Sequence, residues 1–96
     1  MTRHRFYVGT HDKTGHNVSE DAFERIRYLL TNQFGGFTEY QGQGAWYDES
    51  IRLIREPSIT FEAIGETTAS VARMIRDLAN QSAVLWTRET VDGEFV

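Results

Sequence analysis

The sequence predicts an α+β domain of βαββαβ order, with one antiparallel four-stranded sheet and two helices on one of its faces. Three observations predict it. Runs of period-two hydrophobicity give way twice to helical spacing, each time between strand-like segments. Ser19 and the pair Gly35-Gly36 bracket one amphipathic run, and Thr67 or Thr68 opens the other. The chain has 96 residues, enough for one modest core and too few for two, so 1–96 is read as a single domain.

The first strand is predicted over 5–9, with Phe6 and Val8 on one face and Tyr7 on the other. Arg3, His4 and Arg5 ahead of it read as a solvated basic start. Residues 10–17 are polar and contain glycine, which predicts a loop. Ser19 then offers a hydroxyl to an orphan backbone N–H, with Val18 and Phe23 at staple spacing and Glu20 and Asp21 in the first turn. Ala22, Phe23, Ile26, Leu29 and Leu30 recur at helical spacing, giving a helix over about 19–33.

The second strand is predicted over 37–47, where Gly42 and Gly44 signal a bulge or the close approach of another group. Asp48-Glu49-Ser50 forms a turn. The third strand runs over 51–64 with Ile59, Phe61 and Ala63 alternating, and Pro57 predicts a bulge or an unpaired edge because it cannot donate to a ladder. Val71, Met74, Ile75 and Leu78 form the buried stripe of a second helix ending near residue 80. The fourth strand is predicted over 82–88, followed by a tail with an Asp92-Gly93 turn signal.

Two helices on one face leave the other face of the sheet to be explained. Tyr7, Trp46 or Tyr47, and either Leu85 or Trp86 would populate it. A monomer rarely leaves a broad aromatic patch in water. The expectation is a homodimer, or a ligand held on that face.

Composition narrows the classes of function. Ten Lys+Arg against fourteen Asp+Glu give a formal charge of −4, with no basic stripe, a poor basis for binding nucleic acid. Cysteine is absent, which removes thiolate chemistry and fits a reducing, cytoplasmic setting. No apolar run is long enough to span a membrane, and no signal-peptide core is seen at the start.

Several short patterns are weaker than they look. Asp12-Lys13-Thr14-Gly15 matches the phosphorylated-aspartate sequence of ion-pumping ATPases, but a chain of this length has no room for the domains that chemistry needs, and these are turn residues. Gly42-Gln43-Gly44-Ala45-Trp46-Tyr47 begins like a dinucleotide fingerprint, but Tyr47 occupies the third glycine position and no helix follows. His11 and His16 with Asp12 fall short of a converging set of metal ligands, so no metal or cofactor is expected. There is no nucleophile elbow and no carboxylate pair forced together by spacing, so no catalytic residue is assigned.

Arg55-Glu56-Pro57-Ser58 is the densest polar cluster within an apolar strand. Arg55 and Glu56 must face opposite sides. A cross-strand salt bridge is the plainer use of such an arginine. Pointed into the open face, it would suit a carboxylate or phosphate.

Phe6-Tyr7-Val8-Gly9-Thr10, Val18-Ser19-Glu20, Gly42-Gln43-Gly44-Ala45-Trp46, Arg55-Glu56-Pro57-Ser58 and Ser82-Ala83-Val84-Leu85 occur in the same order in the DUF3574 family of small bacterial proteins, which the chain resembles over most of its length. It is similar as well to small accessory proteins of actinobacterial phages. The resemblance implies a ferredoxin-like fold and carries over no catalytic residues. The function expected is a small module that binds or sequesters an anionic ligand, in one version a nucleotide signal, through Tyr7, Trp46 and Arg55, with Tyr47 and Trp86 as further candidates. The alternatives are a protein–protein inhibitor or accessory, and a cofactor-free enzyme of the dimeric ferredoxin-like type.

Overall fold

A computed structural model describes residues 1–96. It contains β1 (Thr2–Gly9), α1 (Glu20–Phe34), β2 (Thr38–Tyr47), β3 (Leu53–Ile64), α2 (Ala69–Leu78) and β4 (Leu85–Thr90). The four strands form one sheet in the order β2-β3-β1-β4, every neighbouring pair antiparallel. This is the expected ferredoxin-like arrangement.

Local chemistry sets the helix ends. The Ser19 hydroxyl accepts from Ala22 N at 3.0 Å, and Gly35 closes α1 at φ 82°, its N–H donating to Thr31 O at 2.8 Å. Of the two threonines ahead of α2, Thr68 is the cap. The helices bury Phe23, Ile26, Leu30, Val71 and Ile75 against Phe6, Val8, Ile59 and Phe61 of the sheet. No helix is long and apolar enough to cross a membrane.

The start of the chain departs from expectation. β1 begins at Thr2, because β4 extends to Thr90 and pairs back along it, Thr2 opposite Thr90. His4 is therefore core, 2% exposed, and Arg3 and Arg5 lie on the open sheet face instead of forming a loose basic end.

Pro57 produces no bulge. The β2–β3 register runs unbroken from Gly42 opposite Ser58 to Gly44 opposite Glu56. The Pro57 carbonyl turns to the other side and accepts from Thr10 N at 3.3 Å and Thr10 Oγ1 at 2.8 Å. In a strand the N and C=O of one residue point the same way. The missing N–H thus falls where β1 has just ended, and the ladder with β2 loses nothing. Beyond that point β3 pairs with β2 alone, and the two form an arm that contributes to a long dimension of 46 Å against 26 and 22 Å.

Candidate functional site

Strand parity assigns the side chains to faces. Phe6, Val8, Ile59, Phe61 and Trp86 point to the helices, so Arg3, Arg5, Tyr7, Glu56, Ser58, Glu62, Trp46, Leu85 and Glu89 point to the open face.

That face has two halves. One is charged. Arg5 Nε donates to Glu62 Oε1 at 2.9 Å, Arg3 Nε to Glu89 Oε1 at 3.0 Å, and the Tyr40 hydroxyl to Glu62 Oε2 at 2.9 Å. The Glu62 carboxylate raises the pKa of Arg5 and of Tyr40, and the Arg3 hydrogen bond lowers that of Glu89.

The other half is a cleft of about 580 Å³, walled by Tyr7, Trp46 and Leu85 of the sheet, by the loop carrying His11, Asp12 and Lys13, and by residues 81–83 ahead of β4. At its base lies Glu56, 4% exposed. Its Oε2 accepts from His11 N at 2.8 Å and bonds His11 Nδ1 at 2.6 Å. A carboxylate only accepts, so the Nδ1 of His11 carries the hydrogen. Glu56 Oε1 receives no hydrogen bond from the protein, and it is not one of the fully enclosed polar atoms, so it is presented to the cleft.

Two glycines make this geometry possible. A Cβ at Gly9 would overlap Glu56 Oε1, so only glycine leaves the carboxylate its place. A Cβ at Gly44 would stand 3.2 Å from the Trp46 ring, which leans over the bare strand there. This is the close approach that the glycines of β2 signalled, achieved without a bulge.

The loop that supplies His11 is well fixed. Asp12 Oδ1 accepts from Thr14 Oγ1 at 2.6 Å, Thr14 N at 2.9 Å and His16 N at 3.0 Å. Chiefly through the Thr14 hydroxyl, the Asp12 pKa is held well below the usual carboxylate range. Gln81 Nε2 ties the loop to the end of α2, donating to His11 O at 2.9 Å and Ala79 O at 3.2 Å.

Of the five residues expected to contact a ligand, the structure brings Tyr7 and Trp46 together in the cleft. Arg55 and Tyr47 lie outside it, on the opposite face of the arm, because the parity set by Ile59 and Phe61 continues through Pro57. Trp86 turns into the core, stacked 6.4 Å from Phe6 with its Nε1 donating to His4 Nδ1, and Leu85 takes the open face. The residue that reading the sequence passed over is Glu56. Counting in twos back from Ile59 without a break would have placed Glu56, and not Arg55, on the open face.

The fold is similar to that of a phage SAM lyase in complex with S-methyl-5'-thioadenosine, at 16% identity over 92% of this chain and 79% of that one, TM-score 0.73. A phage SAM lyase in the apo state is similar at 17% identity over 92% of this chain and 78% of that one, TM-score 0.64. The periplasmic divalent cation tolerance protein CutA from Archaeoglobus fulgidus is similar at 10% identity over 99% of this chain and 88% of that one, TM-score 0.70. At these identities the likeness is one of fold. No curated protein matches the sequence. The match that covers nearly the whole chain, residues 3–95, is to a family described as a protein of unknown function, and this chain belongs to that family, DUF3574.

Proposed function

We propose that the protein binds a small nucleoside-type molecule in the open-face cleft, with a hydrogen-bond donor or cationic group of the ligand on Glu56 Oε1. The observation that carries this reading is the buried Glu56 carboxylate, one oxygen held by His11 and the other presented to a cleft walled by Tyr7 and Trp46. A buried charge is costly unless it is paired, so a free carboxylate oxygen at the base of a cleft favours a ligand that supplies the missing donor. The two aromatic walls suit a flat base. Lys13, which lines the same cleft and forms no ion pair, takes over the role expected of Arg55 and meets an anionic group. The similarity of fold to a protein complexed with S-methyl-5'-thioadenosine supports the nucleoside class.

Calorimetric titration with S-methyl-5'-thioadenosine and S-adenosylmethionine tests this. Saturable binding to the wild type is expected. Glu56→Gln should weaken the ligand with the donor or cationic group about 10–100-fold, the equivalent of about 1.5–3 kcal/mol for a hydrogen bond to a charged group. No binding of either compound, or binding that Glu56→Gln leaves unchanged, refutes the reading.

A second reading, a cofactor-free enzyme, is supported by the same Glu56–His11 pair, an arrangement able to hold a carboxylate as general base. Incubation with S-adenosylmethionine, followed by chromatography for S-methyl-5'-thioadenosine, separates the two. Product that disappears in Glu56→Gln establishes catalysis, and bound but unaltered S-adenosylmethionine establishes a binder.

We infer further that the protein works as a homodimer. Tyr47, Ile51 and Leu53 leave the far side of the arm with exposed apolar groups that association would cover. Native mass spectrometry reads this directly, and a monomer at all working concentrations rules it out.

A further inference from the structure

On the helix side of the sheet, at the edge away from the arm, a shallow groove of about 310 Å³ runs between α2 and β4. Its floor is small and apolar, made of Ala69, Ala72, Ala83 and Val84 beside Trp86. β4 pairs with β1 alone, so its outer row of backbone N–H and C=O groups is open. Natural proteins blunt such edges with charged side chains, proline, bulges or very short strands, and of these β4 carries only the charges of Arg88 and Glu89. β4 has six residues in continuous register, with no proline.

The charge at this edge runs against that of the chain as a whole. Of ten Lys+Arg, Arg3, Arg5, Arg25, Arg27, Arg52 and Arg76 are in ion pairs, which leaves Lys13, Arg55, Arg73 and Arg88 without one. Arg73 lines the groove, and Arg88 lies 4.2 Å over the Trp86 ring that closes it. Arg76, a third arginine of the groove, bonds its sequence neighbour Asp77 at 2.9 Å. A protein of net charge −4 thus places two of its four unpaired cations along one open strand edge.

We propose that this edge receives an extended acidic segment of another protein, which pairs with β4 as a fifth strand. Strand addition uses the open backbone groups for affinity and the alternating side chains for selection. Residues of the added strand that face α2 stand beside Val84, Trp86 and Arg88 and beneath Arg73. The small alanines leave room for its backbone, and the arginines select carboxylates at every second position. This inference is independent of the ligand cleft, which lies on the opposite face of the sheet.

The probes are a labelled peptide of alternating valine and glutamate, six residues long, and its valine–lysine counterpart. Anisotropy titrations at about 50 mM salt should show the acidic peptide bound at least 10-fold more tightly than the basic one. Raising the salt should weaken it. Amide NMR shifts should concentrate in 84–90. Arg73→Glu, an exposed helix position that the fold does not depend on, should weaken the acidic peptide at least 10-fold. Equal affinity for both peptides, shifts centred elsewhere, or an unchanged affinity in Arg73→Glu overturns the proposal. So does concentration-dependent broadening of 84–90 without peptide, which would mean that the edge pairs with a second copy.

Discussion

The Trp86 indole N–H can only donate, so the His4 Nδ1 that it meets at 3.1 Å must be an unprotonated acceptor. The hydrogen of that neutral ring sits on Nε2, facing Gly65 O at 2.6 Å. Ring nitrogen NMR should find His4 in the Nε2–H tautomer, with Nδ1 in the range of a bare acceptor. His4→Phe keeps the aromatic packing and orphans both partly buried partners, at up to about 1–3 kcal/mol for each, read as a lower urea midpoint. Gly9→Ala is a second local test. The methyl group needs the volume of Glu56 Oε1, so the carboxylate must shift, and ligand affinity should fall at least 10-fold while the circular dichroism spectrum stays that of the wild type. Asp12 gives the pH dependence. Its folded pKa is depressed, so its stabilising contribution is complete above the ordinary carboxylate range and is lost as pH falls through the folded value. Asp12→Asn should lower the urea midpoint at neutral pH, and its difference from the wild type should shrink as pH falls from about 4 towards 2.

At the scale of elements, what the sequence made legible was what depends on neighbours along the chain. The Ser19 cap, the Gly35 terminus and the Val71 and Ile75 positions of the α2 stripe follow from hydrogen bonds and spacing within a few residues, whereas Met74, expected in that stripe, is exposed. Ser19→Ala should cost about 1 kcal/mol and lower Tm. Features that depend on partners distant in sequence were harder to read. His4 looked solvated because nothing near it reveals that β4 returns 82 residues later with an indole for its ring. Pro57 predicts a bulge or an unpaired edge; the structure realises the edge, but a bulge would have reset strand parity. With that possibility open, the sequence leaves Arg55 and Glu56 interchangeable, and the donors of the arginine favour it. The end of β1 at Gly9 lets the proline sit harmlessly, keeps the parity, and puts Glu56 into the cleft.

On the scale of the whole molecule, the open face is divided between functions that its sequence pattern suggested were one. An ion-paired ladder of Arg3, Arg5, Glu62 and Glu89, with Tyr40 bonded to Glu62, satisfies its own charges at one end, and Tyr7 and Trp46 wall the cleft at the other. The pairs of the ladder are partly exposed, contribute little each and are screened by salt. Arg5→Gln together with Glu62→Gln should therefore move Tm by only a few degrees and leave ligand affinity within about 2-fold, as a parallel titration would read.

The unbroken passage of β3 through Pro57 also has a mechanical side. Past Ser58 the strand has lost β1 as a ladder partner and is joined to the body by its continuation, by its pairing with β2 and by the bonds of Thr10 to Pro57 and of His11 to Glu56, so residues 44–47 and 53–56 form a two-stranded lever whose fulcrum lies near Gly9. Glu56 rides at the root of that lever and Trp46 farther out. A molecule that touches both would act as a brace, so occupancy of the cleft would be felt as stiffness along the lever. Amide hydrogen exchange across 44–56 would register it, and slower exchange there on adding a compound would mark that compound as a ligand before any reaction or signal is known.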